Sequence, residues 1–149
     1  MASITETLAV DHAVFISVFD WIEQALPRLN TLEEAKMLGG LVEALLRDHG
    51  DVETNLAFVA LDHALYHHKG HLDRLHEDHD EIDDRLKQVQ VATDLADARR
   101  LLKAALLASR QHFRREERTI FPLIEKVFQK ETLAKLGEAQ LRQHPARGK

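Results

Sequence analysis

The stretch Leu95–Pro122, LADARRLLKAALLASRQHFRREERTIFP, decides how the rest of the chain reads. Its apolar positions Leu101, Ala105 and Ala108 recur at intervals of three and four, and the next position on that face is His112. This spacing belongs to an amphipathic α-helix that turns one stripe inward. Thr93 or Asp94 stands where a cap would open it. Pro122 lacks a backbone donor and crowds the preceding turn, so a helix running on to about Gln129 should kink there. An imidazole closes the stripe, and one turn beyond it comes a carboxylate, Glu116, ahead of the apolar run IFPLI.

Three more helices of the same kind lie upstream. The first spans about Thr5 to Arg28, with Ser3 and Glu6 at capping-box spacing and Leu8, His12, Phe15, Phe19 and Ile22 on one face. Pro27, Asn30 and Thr31 end it. Thr31 and Glu34 form a second capping-box pair, opening a helix from about Leu32 to the mid-sixties. Its stripe reads Leu38, Val42, Leu45, His49, Val52, Leu56. Gly39, Gly40 and Gly50 inside it either permit close helix approach or mark irregularity, each at a cost of about 1 kcal/mol against Ala. The least periodic part, HALYHHKGH from His63 to His71, reads as a connection. A third helix follows from about Leu72 to Gln90, with stripe Leu72, Leu75, His79, Ile82, Leu86. A short fifth helix fits about Glu131 to Gln143, and the tail HPARGK should fray.

Composition agrees. The 149 residues include 23 Leu and 18 Ala but only 5% aromatics, and no polar–apolar alternation marks a strand. Four long amphipathic helices with short connections make an all-α antiparallel four-helix bundle the economical solution. A single domain over residues 1–149 is expected, with its core at about 5–130 and a C-terminal tail from about 131. No apolar run is long enough to span a membrane, and MASITETLAVDH does not have the pattern of a signal peptide, so a cytoplasmic location is expected. A formal charge of −5 without a long basic run argues against nucleic acid as a partner.

Ten histidines and no cysteine restrict any metal chemistry to imidazole and carboxylate. A lone histidine in an apolar stripe is more often a satisfied core residue than a ligand. Here His12, His49, His79 and His112 stand one on each helix of the bundle. Glu53 and Glu116 follow His49 and His112 by four and so share their faces. His76/Asp80 and His79/Asp83 have the same spacing, but the charged run HEDHDEIDD reads as a solvated face apart from His79. A carboxylate facing a bundle core is costly unless paired or bound to a cation. Four imidazoles and two carboxylates suit two ions of the iron or manganese type. Six ligands for two ions leave coordination positions open for an oxo or hydroxo bridge, O2, NO or peroxide.

These residues resemble the haemerythrin-like, HHE-type cation-binding domain over roughly residues 5 to 130. The matching pieces are Asp11-His12, His49-Gly-Asp-Val-Glu53, the segment around His79, and His112-Phe-Arg-Arg-Glu116-Glu-Arg-Thr-Ile-Phe-Pro122. The resemblance implies an up-down bundle holding an oxo- or hydroxo-bridged pair of Fe ions. His12 and His49 would bind one iron and His79 and His112 the other, with Glu53 and Glu116 bridging. The oxygen carriers of the family have a fifth histidine four residues before the third-helix ligand; here that position is Leu75. His76, three before, is a strained substitute, and Glu117 is a rival to Glu116 as the bridge.

Elsewhere His63, His67, His68 and His71 form either a secondary metal patch or, the favoured reading, solvated loop histidines. Nothing in the spacing requires Tyr66 at a metal, and Trp21 and the six Phe are expected in the core. The function expected is binding or sensing of O2 or a related small molecule such as NO or peroxide. Two alternatives share the residues: a redox enzyme consuming peroxide or NO, and a metal-stabilised regulatory module acting through a redox or signalling protein partner. Whether the chain turns over a substrate is left open by the residues, as is its oligomeric state.

Overall fold

The computed structural model describes residues 1–64 and 69–143, with the side chains of 69–71 left aside. Tyr66, His67, His68, the side chain of His71 and the tail from residue 144 therefore lie outside the described residues. The helices are α1 (Ile4–Ala25), α2 (Leu32–Val52), α3 (Val59–Ala64), α4 (Lys69–Val91), α5 (Leu95–Arg115), α6 (Phe121–Val127) and α7 (Lys130–Gln143), and the described residues contain no strand. None of them is long and apolar enough to cross a membrane.

The caps fall where the sequence places them. Ser3 with Glu6 and Thr31 with Glu34 both close capping boxes, and Asp94 Oδ1 accepts from Asp97 N at 2.8 Å. Each such cap is worth about 1 kcal/mol. Pro27 lies in a short 3₁₀ turn, Leu26–Arg28, that terminates α1. The long helices close a ring in which α1 packs on α2 and α5, and α4 packs on α2 and α5. The close approach of α2 to α4 depends on Gly39, where an added Cβ would stand 2.9 Å from Val89 Cγ1.

The irregularity in the second helix comes not at a glycine but at Glu53. There the chain passes into a π-helical segment, Glu53–Phe58, before α3. The fourth helix does the same at Glu116–Ile120, ahead of Pro122 in the first turn of α6. A π turn spends an extra residue, so the inward stripe slips by one position after it. Hence Ala57, Phe58 and Leu61 are buried, whereas the expected Leu56 is only half-buried. The break anticipated at Pro122 is thus prepared by the turn before it.

The apolar interior is divided in two. One cluster gathers Phe15, Phe19, Ile22, Val42, Ile82, Leu86, Leu102 and Phe113. The other gathers Ile4, Leu8, Ala57, Phe58, Leu72, Leu75, Ile120 and Phe121. In α1 and α4 a seam histidine stands between the two sets, His12 between Leu8 and Phe15 and His79 between Leu75 and Ile82, while the fourth helix crosses from one set to the other at Glu116. Trp21 does not join either cluster: it is 63% exposed. It directly precedes Ile22, about 100° around the helix from the inward stripe, so the expectation that it packs in the core is corrected.

Candidate metal centre

Because the helices alternate in direction, His12 and His79, near the middles of α1 and α4, meet His49 and His112 late in α2 and α5. Glu53 and Glu116 complete the layer, each 0% exposed, and each is the first residue of a π turn. The two His-x-x-x-Glu pairs are therefore the same device built twice.

All six sequence-derived residues converge. Their ligand atoms form two overlapping groups, His12/His49/Glu53/Glu116 and Glu53/His79/His112/Glu116, with atoms of each group within 4.8 Å of one another. His49 Nε2 lies 2.7 Å and His12 Nε2 3.5 Å from Glu53 Oε1, while His79 Nε2 lies 3.4 Å from Glu53 Oε2. Glu116 places Oε2 3.1 Å from His12 Nε2 and Oε1 3.0 Å from His112 Nε2. Each glutamate thus offers one oxygen to each half. The imidazole nitrogens also approach in pairs, 3.0 Å for His12–His49 and 2.8 Å for His79–His112.

These contacts are short but misaligned. None of the four carboxylate oxygens of Glu53 and Glu116 has a hydrogen-bond partner with acceptable geometry. Leaving buried carboxylate oxygens so is costly. Nitrogens and oxygens that point at shared spaces rather than at one another are what a cation between them would satisfy. The donor set, imidazole and carboxylate only, fits iron, manganese or zinc.

A second layer of carboxylates holds the imidazoles from behind. Asp11 Oδ2 lies 3.3 Å from His49 Nδ1, Asp78 Oδ2 3.2 Å from His112 Nδ1, and Glu117 Oε1 3.0 Å from His12 Nδ1. Such partners fix which ring nitrogen faces the centre. Arg115 anchors Asp78 through two bonds of 2.9 and 3.1 Å. Phenylalanines set the ring planes, with Phe113 stacked on His12 at 4.1 Å and Phe15 edge-on to His49 at 5.2 Å.

Without a cation the buried glutamates and histidines shift one another. Burial alone would push His12 down, but Glu116 and Glu53 beside it outweigh that and raise it to about 9. His49 is raised to about 10, with burial opposed chiefly by the charge of Glu53 and by Asp11. His112 is also raised, burial again being outweighed, here by Glu116. Burial favours the neutral form of Glu53, yet His49 and the neighbouring imidazoles hold its carboxyl well below the usual range.

One side of the layer is open. A cavity of about 120 Å³ lies between α2 and α4, lined by Gly50, Thr54, His79, Ile82, His112 and Phe113 among others. The side chain of His79 is 23% exposed, against 3% or less for His12, His49 and His112.

Glu117 and His76 do not enter the centre. Glu117 is 100° around the helix from Glu116 and occupies the outer side of His12, with its side chain 46% exposed. His76 stands edge-on to Phe58 at 5.7 Å and lines a different cavity with Asp62 and Asp73. His63 is exposed, as the solvated reading expects. Asp78 corrects the reading of HEDHDEIDD as solvent face apart from His79, because it is only 4% exposed. Three residues after Leu75 and four before Ile82, it lies on the inward stripe, and that spacing was the available signal. Asp11 had only its adjacency to His12. Gln140, buried against Asp11, gave no local signal.

No curated protein and no solved structure matches the chain. A family model described as the Hemerythrin HHE cation binding domain matches residues 3–139. That span takes in all four long helices, both buried glutamates and most of α7. With the helical architecture and the His/Glu cluster, it establishes that the chain belongs to the haemerythrin HHE cation-binding family.

Proposed function

We propose that the protein holds two iron ions in this layer and binds or senses O2, NO or peroxide there. One observation supports the reading above the others: two His2Glu2 groups share both glutamates, and all four carboxylate oxygens lack hydrogen bonds. A pair of iron ions supplies open coordination positions together with redox chemistry, and zinc lacks the redox chemistry. His12 and His49 serve one ion, His79 and His112 the other, and Glu53 and Glu116 face both. Asp11, Glu117 and Asp78 keep the Nδ1 protons of their histidines on the outside. Phe15, Phe58, Phe113 and Phe121 exclude bulk water from the layer. The cavity beside His79, about 120 Å³, accommodates a two- to three-atom ligand but not an organic substrate of ordinary size.

Metal analysis of the purified chain from iron-replete cells tests this. Two irons per chain are expected, with a near-ultraviolet band typical of a bridged pair. Glu53→Gln should lose both ions, since both halves share it, whereas His79→Ala should lose one. One zinc per chain, or no metal, would sink the proposal. Passive binding and turnover separate on one assay: steady peroxide consumption by the loaded protein, abolished in Glu53→Gln, favours the enzyme.

A further inference from the structure

α7 lies outside the ring of four long helices, yet it reaches the layer behind the centre. Gln140 is buried, 1% exposed. Its Nε2 donates to Asp11 Oδ2 at 2.8 Å, the same oxygen that lies 3.3 Å from His49 Nδ1. Its Oε1 accepts from Thr7 Oγ1 at 2.5 Å. Gly137, on the same face, sets this depth: an added Cβ would stand 2.5 Å from the Ala2 carbonyl oxygen and 2.9 Å from the Ser3 carbonyl carbon. α7 and the start of α1 therefore meet backbone to backbone.

The donors and acceptors run in one direction. An ionised carboxylate can only accept, so the amide edge facing Asp11 is the NH2 group and the edge facing Thr7 is the carbonyl. The Thr7 hydroxyl, which also lies 2.9 Å from the Ile4 carbonyl oxygen and 3.2 Å from that of Ser3, makes its shortest contact with that carbonyl. Asp11 in turn takes the Nδ1 proton of His49, which leaves Nε2 as the nitrogen available to a cation. We infer that Gln140 is a positioning residue for the centre, acting from α7 through Asp11 on His49. The inference rests on the cation-centre reading above. Asp11 has a side chain 26% exposed, and without the amide its carboxylate is free to turn to water. By linkage, cation binding at His49 and docking of α7 support each other.

The test uses the full chain loaded with cobalt(II) and measures its release to an excess of chelator. Gln140→Met keeps the length and removes both bonds. It should release the cobalt of the His12/His49 half about tenfold faster, the low end of what outer-layer partners control. The other half should be unchanged. Asp11→Asn should accelerate the same half, and the double variant should be no faster than Asp11→Asn alone. A loosened α7 with no link through Asp11 would instead multiply the two effects, and that result overturns the inference. So does a Gln140→Met chain that loads two ions and releases them as wild type does. If Gln140→Met loses helicity, Gln140→Asn, whose amide falls one methylene short of Asp11, takes its place with the same expectation, and wild-type release from it is equally fatal. A wild-type chain that never takes up two cobalt ions refutes the centre itself, a distinguishable failure.

Discussion

Loading the centre should expel protons, and the structure fixes roughly how many and at what cost. Cation-free His12 and His49, raised to about 9 and about 10, are both protonated at pH 7.5. A cation needs their Nε2 lone pairs. At about 1.4 kcal/mol per pH unit below the pKa, freeing His49 costs about 3 kcal/mol and freeing His12 about 2 kcal/mol. Titration with cobalt(II) in two buffers of different ionisation enthalpy should report about two protons released, with His112 able to add to this. Apparent affinity should rise about 100-fold per pH unit between pH 7 and 9 and more gently above, as His12 is already neutral there. The same histidines set the stability of the cation-free chain. A raised pKa stabilises fully below the unfolded value of about 6.5 and is lost as pH climbs to 9–10. Glu53, held low, acts oppositely: its contribution is present above about 4.5 and lost in acid. The cation-free chain should therefore melt at lower temperature at pH 9.5 than at pH 7. Affinity independent of pH, with no proton release, would refute the raised state of His12 and His49.

Two further perturbations probe what surrounds the layer. Asp78→Leu strands the Arg115 guanidinium and the Nδ1 proton of His112, so it should cost about 1–3 kcal/mol in denaturant unfolding and weaken cation binding about 10–100-fold in the His79/His112 half only. Equal weakening in both halves would count against its placement behind His112. Gly137→Ala should destabilise despite better helix propensity, because the new Cβ meets the backbone of Ala2 and Ser3; a loss of about 1–3 kcal/mol is expected, and a gain near 1 kcal/mol would show that α7 simply moves aside.

Much of the candidate centre was legible because its residues obey helical periodicity. His12, His49, His79 and His112 could be placed from their apolar neighbours alone, and Glu53 and Glu116 from one-turn spacing. Where periodicity failed, the cause was physical. The π turn at Glu53 advances the stripe by one residue, so the α period misplaces Leu56 and misses Phe58. Asp78 lies on the stripe but is camouflaged by five other acidic residues in HEDHDEIDD, where composition outweighed position. Gln140 could not be found at all, since its partner Asp11 is 129 residues away and only the docking of α7 brings them together.

The polar layer also cuts the interior into two apolar clusters, and this bears on how the molecule unfolds. Apolar burial stabilises each cluster separately, while the cation-free layer between them is joined by the pairing of His12 and His49 with Glu53 and Glu116, which weakens as pH climbs past 9. Cations bound there would tie α1, α2, α4 and α5 together at mid-height and make the clusters one cooperative unit. Cation-free and at high pH, the end containing Ile4, Leu72 and Ile124 should open more independently of the end containing Phe19 and Leu102. Loading then decides whether the bundle exchanges its amide protons as one body or as two.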